Sequence, residues 1–195
     1  MPDNHRMPIA ITPYNPSWPA QFEAVADAIQ PAFAHIPSAT IEHIGSTSVP
    51  GLAAKPVIDI DVIVDLSDIP DGIAALESIG YSHRGDLDVP GREAFFPPDN
   101  DPRRNVYLCQ RGCLSVRNHL AVRDVLRRRP DLRDRYAAYK LALAAKPGMD
   151  IATYTDEKSP ILQAILAESD LTPGELAEIL TVNTTPPPVP VVGHQ

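Results

Sequence analysis

The segment Val57-Ile-Asp-Ile-Asp-Val-Ile-Val64 constrains this chain more than any other, because an apolar run of strand length is broken only by two acids, Asp59 and Asp61. Val57, Ile58, Ile60, Val62, Ile63 and Val64 surround the acids, so the run reads as a strand that is buried or nearly so. Side chains alternate along a strand, which sends Asp59 and Asp61 to the same face. Two carboxylates side by side in apolar surroundings repel each other and resist desolvation, unless a cation or a shared proton compensates. A divalent cation fits that arrangement, since Mg²⁺ usually binds through one or two carboxylates together with substrate phosphates.

About a dozen residues upstream lies a small-residue turn, Gly45-Ser46-Thr47-Ser48. If the turn opens a helix, its free backbone N–H groups form an anion site to which Ser46 or Thr47 adds a hydroxyl donor. Taken alone, a Gly-Ser turn is more often a plain turn or N-cap, and an Asp-x-Asp is often solvated. At this spacing, with a phosphate cradle ahead of a metal-binding acid pair, the two together describe a nucleoside triphosphate site.

The whole chain bounds what such a site can serve. Its 195 residues suit one domain with a real core. A formal charge of −8 argues against binding bulk nucleic acid, yet permits a small nucleotide bridged by a metal. Two cysteines, Cys109 and Cys113, make neither a disulfide framework nor a zinc set, which favours a reducing cytoplasm. No signal-peptide pattern or membrane-length apolar run is evident, so a soluble cytoplasmic protein is expected. Oligomeric state is open.

Periodicity predicts a mixed α/β half followed by a helical half from about residue 114. A loose arm (1–8) and an edge strand over 9–14 lead into a helix from Pro19 to about His35, with Phe22, Val25, Ile29 and Phe33 inward. Strands are predicted over 40–44, 57–64, 81–84, 93–96 and 105–110. Helices are predicted over a stretch bearing Ile73, Leu76 and Ile79, then over 114–129, 132–145, from 155 or 156 to 167, and over 171–180. The domain is expected to span 1–181. The proline-rich remainder, 182–195, reads as an extended or disordered tail.

Other polar residues are candidates beside bland readings. Lys55 directly precedes the acid strand and suits phosphate neutralisation or a solvated loop. Arg92, Arg103 and Arg104 suit bidentate phosphate clamps or a charged surface. Tyr154 and Lys158, in Tyr154-Thr-Asp-Glu-Lys158, suit base or phosphate contact, or simply a helix start. The arginines of 117–129 read as a solvated face pairing with nearby aspartates. His43 reads as a hydrogen-bonded structural histidine rather than a ligand. No Gly-Lys-Ser/Thr completes a P-loop, no Gly-x-Ser-x-Gly makes a nucleophile elbow, and no His-Glu-x-x-His occurs.

The stretch Glu42-His-Ile-Gly-Ser-Thr-Ser-Val-Pro-Gly-Leu-Ala-Ala-Lys-Pro-Val-Ile-Asp-Ile-Asp61 resembles the signature of the GrpB family, also called UPF0157. Tyr14-Asn-Pro-Ser-Trp-Pro19, Asn105-Val-Tyr-Leu-Cys109, His119-Leu-Ala-Val-Arg-Asp-Val-Leu-Arg127 and Tyr154-Thr-Asp-Glu-Lys158 extend the similarity over roughly 9–167. The resemblance implies an α+β fold, a nucleotidyltransferase-like core of a mixed sheet with flanking helices, followed by a C-terminal helical part. That superfamily uses a Gly-Ser turn, an acid-x-acid strand and usually a third acid on a neighbouring strand. The strand 105–110 carries no acid, which makes Glu93 the best candidate, with Asp86 and Asp88 behind it.

The expected activity is therefore transfer of a nucleoside monophosphate from an NTP to an unknown small-molecule acceptor. Asp59 and Asp61 would hold Mg²⁺ or Mn²⁺, with Glu93 as third catalytic acid. Gly45, Ser46 and Thr47 would cradle the phosphates, Lys55 or Arg104 would balance charge, and Tyr154 and Lys158 would touch the nucleotide. The alternative is a catalytically inactive nucleotide-binding or sensing module, which lack of a base for the acceptor hydroxyl would favour. A phosphatase using the same metal pair is a third possibility.

Overall fold

The computed structural model describes residues 9–184. The predicted arm (1–8) and residues 185–195 of the predicted tail lie outside that range. Five strands form one mixed sheet in the order β1-β2-β5-β4-β3. They are β1 (Thr40–Ile44), β2 (Ile58–Val64), β3 (Ser82–His83), β4 (Arg92–Phe96) and β5 (Arg104–Gln110). β2 runs antiparallel to β1 and parallel to β5, and β4 is antiparallel to both of its neighbours. The parallel pair is central and buried, as the apolar run of β2 requires.

Two faces follow from the two-residue period. Ile58, Ile60, Val62, Val64, Val106 and Leu108 point to one side, where α1 (Trp18–Ile29), the 3₁₀ turn Gln30–Phe33 and α2 (Ile69–Ser78) cover them with Trp18, Val25, Ile29, Phe33 and Leu76. A Cβ on Gly72 would meet the Leu108 methyls at 2.9 Å, so the absence of a side chain lets α2 lie directly on β5. The opposite face carries Asp59, Asp61 and Ile63 beside Asn105, Tyr107 and Cys109. Ile63 and Cys109 pack on Val116 of α3 (Leu114–Arg128), while the acids are left towards the helical half.

That half comprises α4 (Pro130–Ala144), α5 (Ile151–Glu157), α6 (Ser159–Leu166) and α7 (Pro173–Thr184). Val125, Leu126, Tyr136, Ile161 and Ile165 form its core with Val49 and Leu52 of the loop after the Gly-Ser turn. The expected architecture, a mixed sheet with flanking helices and then a helical part, is the one observed.

Several local expectations need correction. The edge strand over 9–14 is reduced to a single bridge, Thr12 to Ala54, in a segment whose Pro13 lacks the N–H that a longer ladder needs. The helix expected from 155 or 156 to 167 starts at Ile151 and breaks after Glu157, because Pro160 removes a backbone donor and sits in the first turn of α6. Residues 182–184, expected in the tail, belong to α7, which runs to Thr184.

Candidate functional site

The loop joining β1 to β2 brings its turn back against the acid strand. Gly45 adopts φ +70° and ψ −173°, a conformation open essentially to glycine alone. A Cβ there would stand 2.3 Å from Asp59 Oδ2, so the missing side chain also allows the turn to touch the carboxylate. The turn opens only a short 3₁₀ segment, Ser46–Ser48, rather than the helix considered from sequence.

Asp59 and Asp61 share one face, as their spacing requires, and their neighbours on β5 are Asn105 and Tyr107. Asn105 Nδ2 donates to Asp59 Oδ1 at 2.7 Å. Asp61 is fully buried; its Oδ2 accepts from His119 Nδ1 at 2.8 Å, and its Oδ1 has no hydrogen-bond partner among the described residues. Burial pushes the Asp59 carboxyl above its ordinary range, although the Asn105 hydrogen bond and the His119 charge oppose this. Burial pulls His119 down, but the Asp61 carboxylate outweighs it and the net shift is upward.

A cleft of about 350 Å³ opens beside Asp59, lined by Ser46, Thr47, Lys55, Asn105, Tyr107, Lys140, Tyr154 and Lys158 among others. Of the chain's four lysines, three face it. The fourth, Lys146, pairs with Glu157. Lys140 is 2% exposed, and its Nζ donates to Ser46 Oγ at 2.9 Å. Burial first, and Lys158 second, push the Lys140 ammonium down to about 7. Burial and then Lys55 lower Lys158 to about 8, with Asp59 acting weakly in the other direction. Burial and Arg103 also lower Lys55. Lys158 Nζ lies 4.9 Å from the centroid of the Tyr154 ring, whose phenol burial raises to about 12. Three ammonium groups half-buried or more along one cleft, Lys158 acting on Lys140 and Lys55 on Lys158, are an electrostatic complement of a polyanion.

Not every sequence candidate reaches this cleft. Glu93 pairs with Leu108 in register and so belongs to the opposite face of the sheet, where its carboxylate meets His83 Nε2 at 2.7 Å. Arg104 pairs with Ile58 and is likewise turned away; its guanidinium donates to Tyr81 Oη at 3.0 Å and to both oxygens of Asp99 at 2.7 and 3.1 Å. Both expectations are thus corrected by the two-residue period. The Thr47 hydroxyl lines the cleft but donates to the Val57 carbonyl at 3.1 Å. With its one hydrogen spent, it accepts from His43 Nε2 at 3.0 Å. His43 is structural, stacked on Phe22 and held neutral by burial and the nearby Arg127 and Arg123, which bring it down to about 4. No third acid joins the pair: among the described residues no group of three or more His, Cys, Asp and Glu is arranged to hold a metal.

Sequence reasoning missed Lys140, Asn105 and His119. Lys140 lies four residues after Tyr136 on α4, which places it on the buried stripe, and a lysine there was a readable signal. Asn105 was weighed only as a missing acid. His119 on α3 enters the sequence reading only as part of the family motif, since nothing local joins it to a strand 58 residues earlier. Among the arginines read as a face pairing with nearby aspartates, Arg123 and Arg129 do pair with Asp124 and Asp131, at 2.8 and 2.9 Å, while Arg127 donates twice to the Ser48 carbonyl, at 3.1 and 2.8 Å, and Arg123 also to Glu42 at 2.7 Å.

Comparison with known proteins gives the family and the fold. The family model described as "GrpB protein" matches residues 8–168. The chain belongs to the GrpB family. A UPF0157 protein of Halalkalibacterium halodurans is 35% identical over 86% of each chain. The crystal structure of the conserved protein GrpB from Enterococcus faecalis superposes with a TM-score of 0.70 at 33% identity, covering 87% of this chain and 99% of that one. A dephospho-CoA kinase of Mycolicibacterium paratuberculosis is 28% identical over 80% of this chain, but the match spans only 44% of that enzyme.

Proposed function

We propose that this protein binds a nucleoside triphosphate in the lysine-lined cleft and transfers its nucleoside monophosphate to a small-molecule acceptor. The observation that carries the reading is the convergence of Lys55, Lys140 and Lys158 with Ser46 on one side of Asp59, in a chain of net charge −8. With Asp59 the one acid on the lining to balance three lysines, two of them with markedly lowered pKa values, the ammonium groups are stabilised when a triphosphate supplies further negative charge.

The residues present fit a divalent cation, Mg²⁺ or Mn²⁺. Two acids share one face, and Asp61 Oδ1 is buried with no protein partner. Asp59 and Asp61 would hold the ion, and when bound it would neutralise charge at the reacting phosphate. The remaining work falls to the chain. Asn105 fixes the Asp59 carboxylate by its amide, and His119 fixes that of Asp61. Lys140 and Lys158 hold the phosphates that depart as pyrophosphate, and Tyr154 under Lys158 closes the wall against water. The match to part of a dephospho-CoA kinase is in keeping with nucleotide chemistry and assigns no substrate.

A second reading, a nucleotide-binding module without turnover, is favoured by Asn105, an amide at the position on β5 where a third acid was sought. Titration of ATP, GTP, CTP and UTP with Mn²⁺ against wild type and Asp59→Ala tests binding. We expect one nucleotide to bind wild type and to lose at least tenfold in affinity with the variant, as loss of a metal-linked charge contact implies. Equal affinity for both proteins, or no binding, defeats both readings. Asp59-dependent pyrophosphate release in the presence of cell extract separates enzyme from module.

A further inference from the structure

On the far side of Asp61 from the lysines lies a second cavity, of about 320 Å³, lined by Arg92, Arg111, Cys113, Ser115, Asn118 and His119 among others. We propose that it is the acceptor site, and that it takes a small hydroxylated or amine-bearing molecule through an oxyanion, carboxylate or phosphate, held by Arg92. This rests on the nucleotidyltransfer reading.

The observation behind it is an unspent cation. Arg92 lies on β4 opposite Cys109, on the same face as the acid pair. Its guanidinium stacks on Tyr107, with Cζ 4.7 Å from the ring centroid, and its Nε is buried with no hydrogen-bond partner among the described residues. Other arginines of this region are committed: Arg111 Nε donates to Asp65 at 2.8 Å, and Arg104 is saturated by Asp99 and Tyr81. A guanidinium left without an acceptor at a cavity wall suits a planar oxyanion, which accepts two of its N–H groups at once. The one acid on the lining, Glu178 of α7, is exposed and stands at the rim.

Position along the strands agrees with the chemistry. The lysine cleft lies at the Asp59–Asn105 level, Asp61 pairs with Tyr107 in the middle, and Arg92 pairs with Cys109 beyond. Two strand rises, or roughly 7 Å, separate Tyr107 from Cys109, which sets the span from anchored oxyanion to reacting atom. That is the size of an amino acid or a sugar phosphate. In-line displacement needs nucleophile and leaving group on opposite sides of the α-phosphorus, a need that one cavity at the Asp59 end and another at the Cys109 end of the strands would meet. The acceptor's oxygen or nitrogen forms the new bond to phosphorus, the bond to the bridging oxygen breaks with its electron pair leaving on pyrophosphate, and the acceptor's proton passes to solvent.

The test uses wild-type protein saturated with Mg²⁺ and the α,β-methylene analogue of its best-binding triphosphate. Inorganic phosphate and acetate are titrated separately while the Arg92 Nε–H resonance and the Ser115 amide are followed by NMR. We expect saturable shifts at both with at least one anion, the tighter anion identifying the headgroup class. In Arg92→Met the Ser115 response should weaken about tenfold or more with nucleotide affinity unchanged. No shift at Arg92 with either anion overturns the proposal. So do shifts confined to Ser46, Lys140 and Lys158 in nucleotide-free protein, although these leave the lysine cleft standing. Failure of every triphosphate to bind, with the Arg92 response intact, removes the acceptor role and the nucleotide reading while an oxyanion site remains.

Discussion

Single residues decide whether the cleft exists. Gly45 combines a glycine-only backbone with contact to Asp59, so Gly45→Ala carries backbone strain of roughly 1–3 kcal/mol and displaces the carboxylate. Thermal unfolding should show the loss of stability, and nucleotide titration should show a further loss of binding. Lys140 sets a pH dependence. Its pKa falls on folding from 10.5 to about 7, so between those limits the unfolded chain binds more protons and stability rises with pH. Below about 7 the full cost of the buried charge is present. Tyr136, 4.4 Å away on its ring face, and Lys158 are the groups around it. Urea midpoints across this window should rise for wild type and flatten for Lys140→Met. A triphosphate favours the charged lysines, so its affinity should fall as pH rises past about 7 to 8, with proton uptake seen as buffer-dependent binding enthalpy.

At the scale of elements, α3 is the brace that holds the Gly-Ser loop in place. Arg127 holds the Ser48 carbonyl from that helix, and Arg123 reaches Glu42 and the His43 carbonyl. Arg127 is exposed, so its hydrogen bonds are worth about 1 kcal/mol rather than the buried value. Arg127→Ala should therefore lower the melting temperature by about 2–4 °C. If it braces the turn, nucleotide affinity should fall as well, whereas a merely solvated arginine would leave affinity unchanged. What was legible in the sequence follows the same division. The β2 run, the Gly-Ser turn and the shared face of Asp59 and Asp61 come from local periodicity, and they stand where periodicity puts them. Glu93 and Arg104 were misassigned because their facing depends on register with β5, which no local pattern states. Lys140 and His119 reach the site only because α4 and α3 fold back on the sheet.

Across the whole molecule, charge is distributed against its average. The chain is acidic overall at −8, yet three of its four lysines are gathered in one cleft. Among the described residues no helix is long and apolar enough to cross a membrane. On the proposed function, a confined positive cleft on an acidic body would admit a mononucleotide and repel a polymer of phosphates. A single-stranded oligonucleotide should fail to displace a bound fluorescent triphosphate at physiological salt. Efficient displacement would mean that the basic surface is wider than the cleft.

The cleft also has an unusual seam. Ser46, Lys55 and Asp59 come from the sheet half, while Lys140, Tyr154 and Lys158 come from helices about a hundred positions later in the chain. With no anion in place, like charges press the two sides apart along that line. A triphosphate bound as proposed would rivet them, and peeling the helices from the sheet would require expelling it, so the resting nucleotide level of a cell would set how tightly this protein is sewn shut.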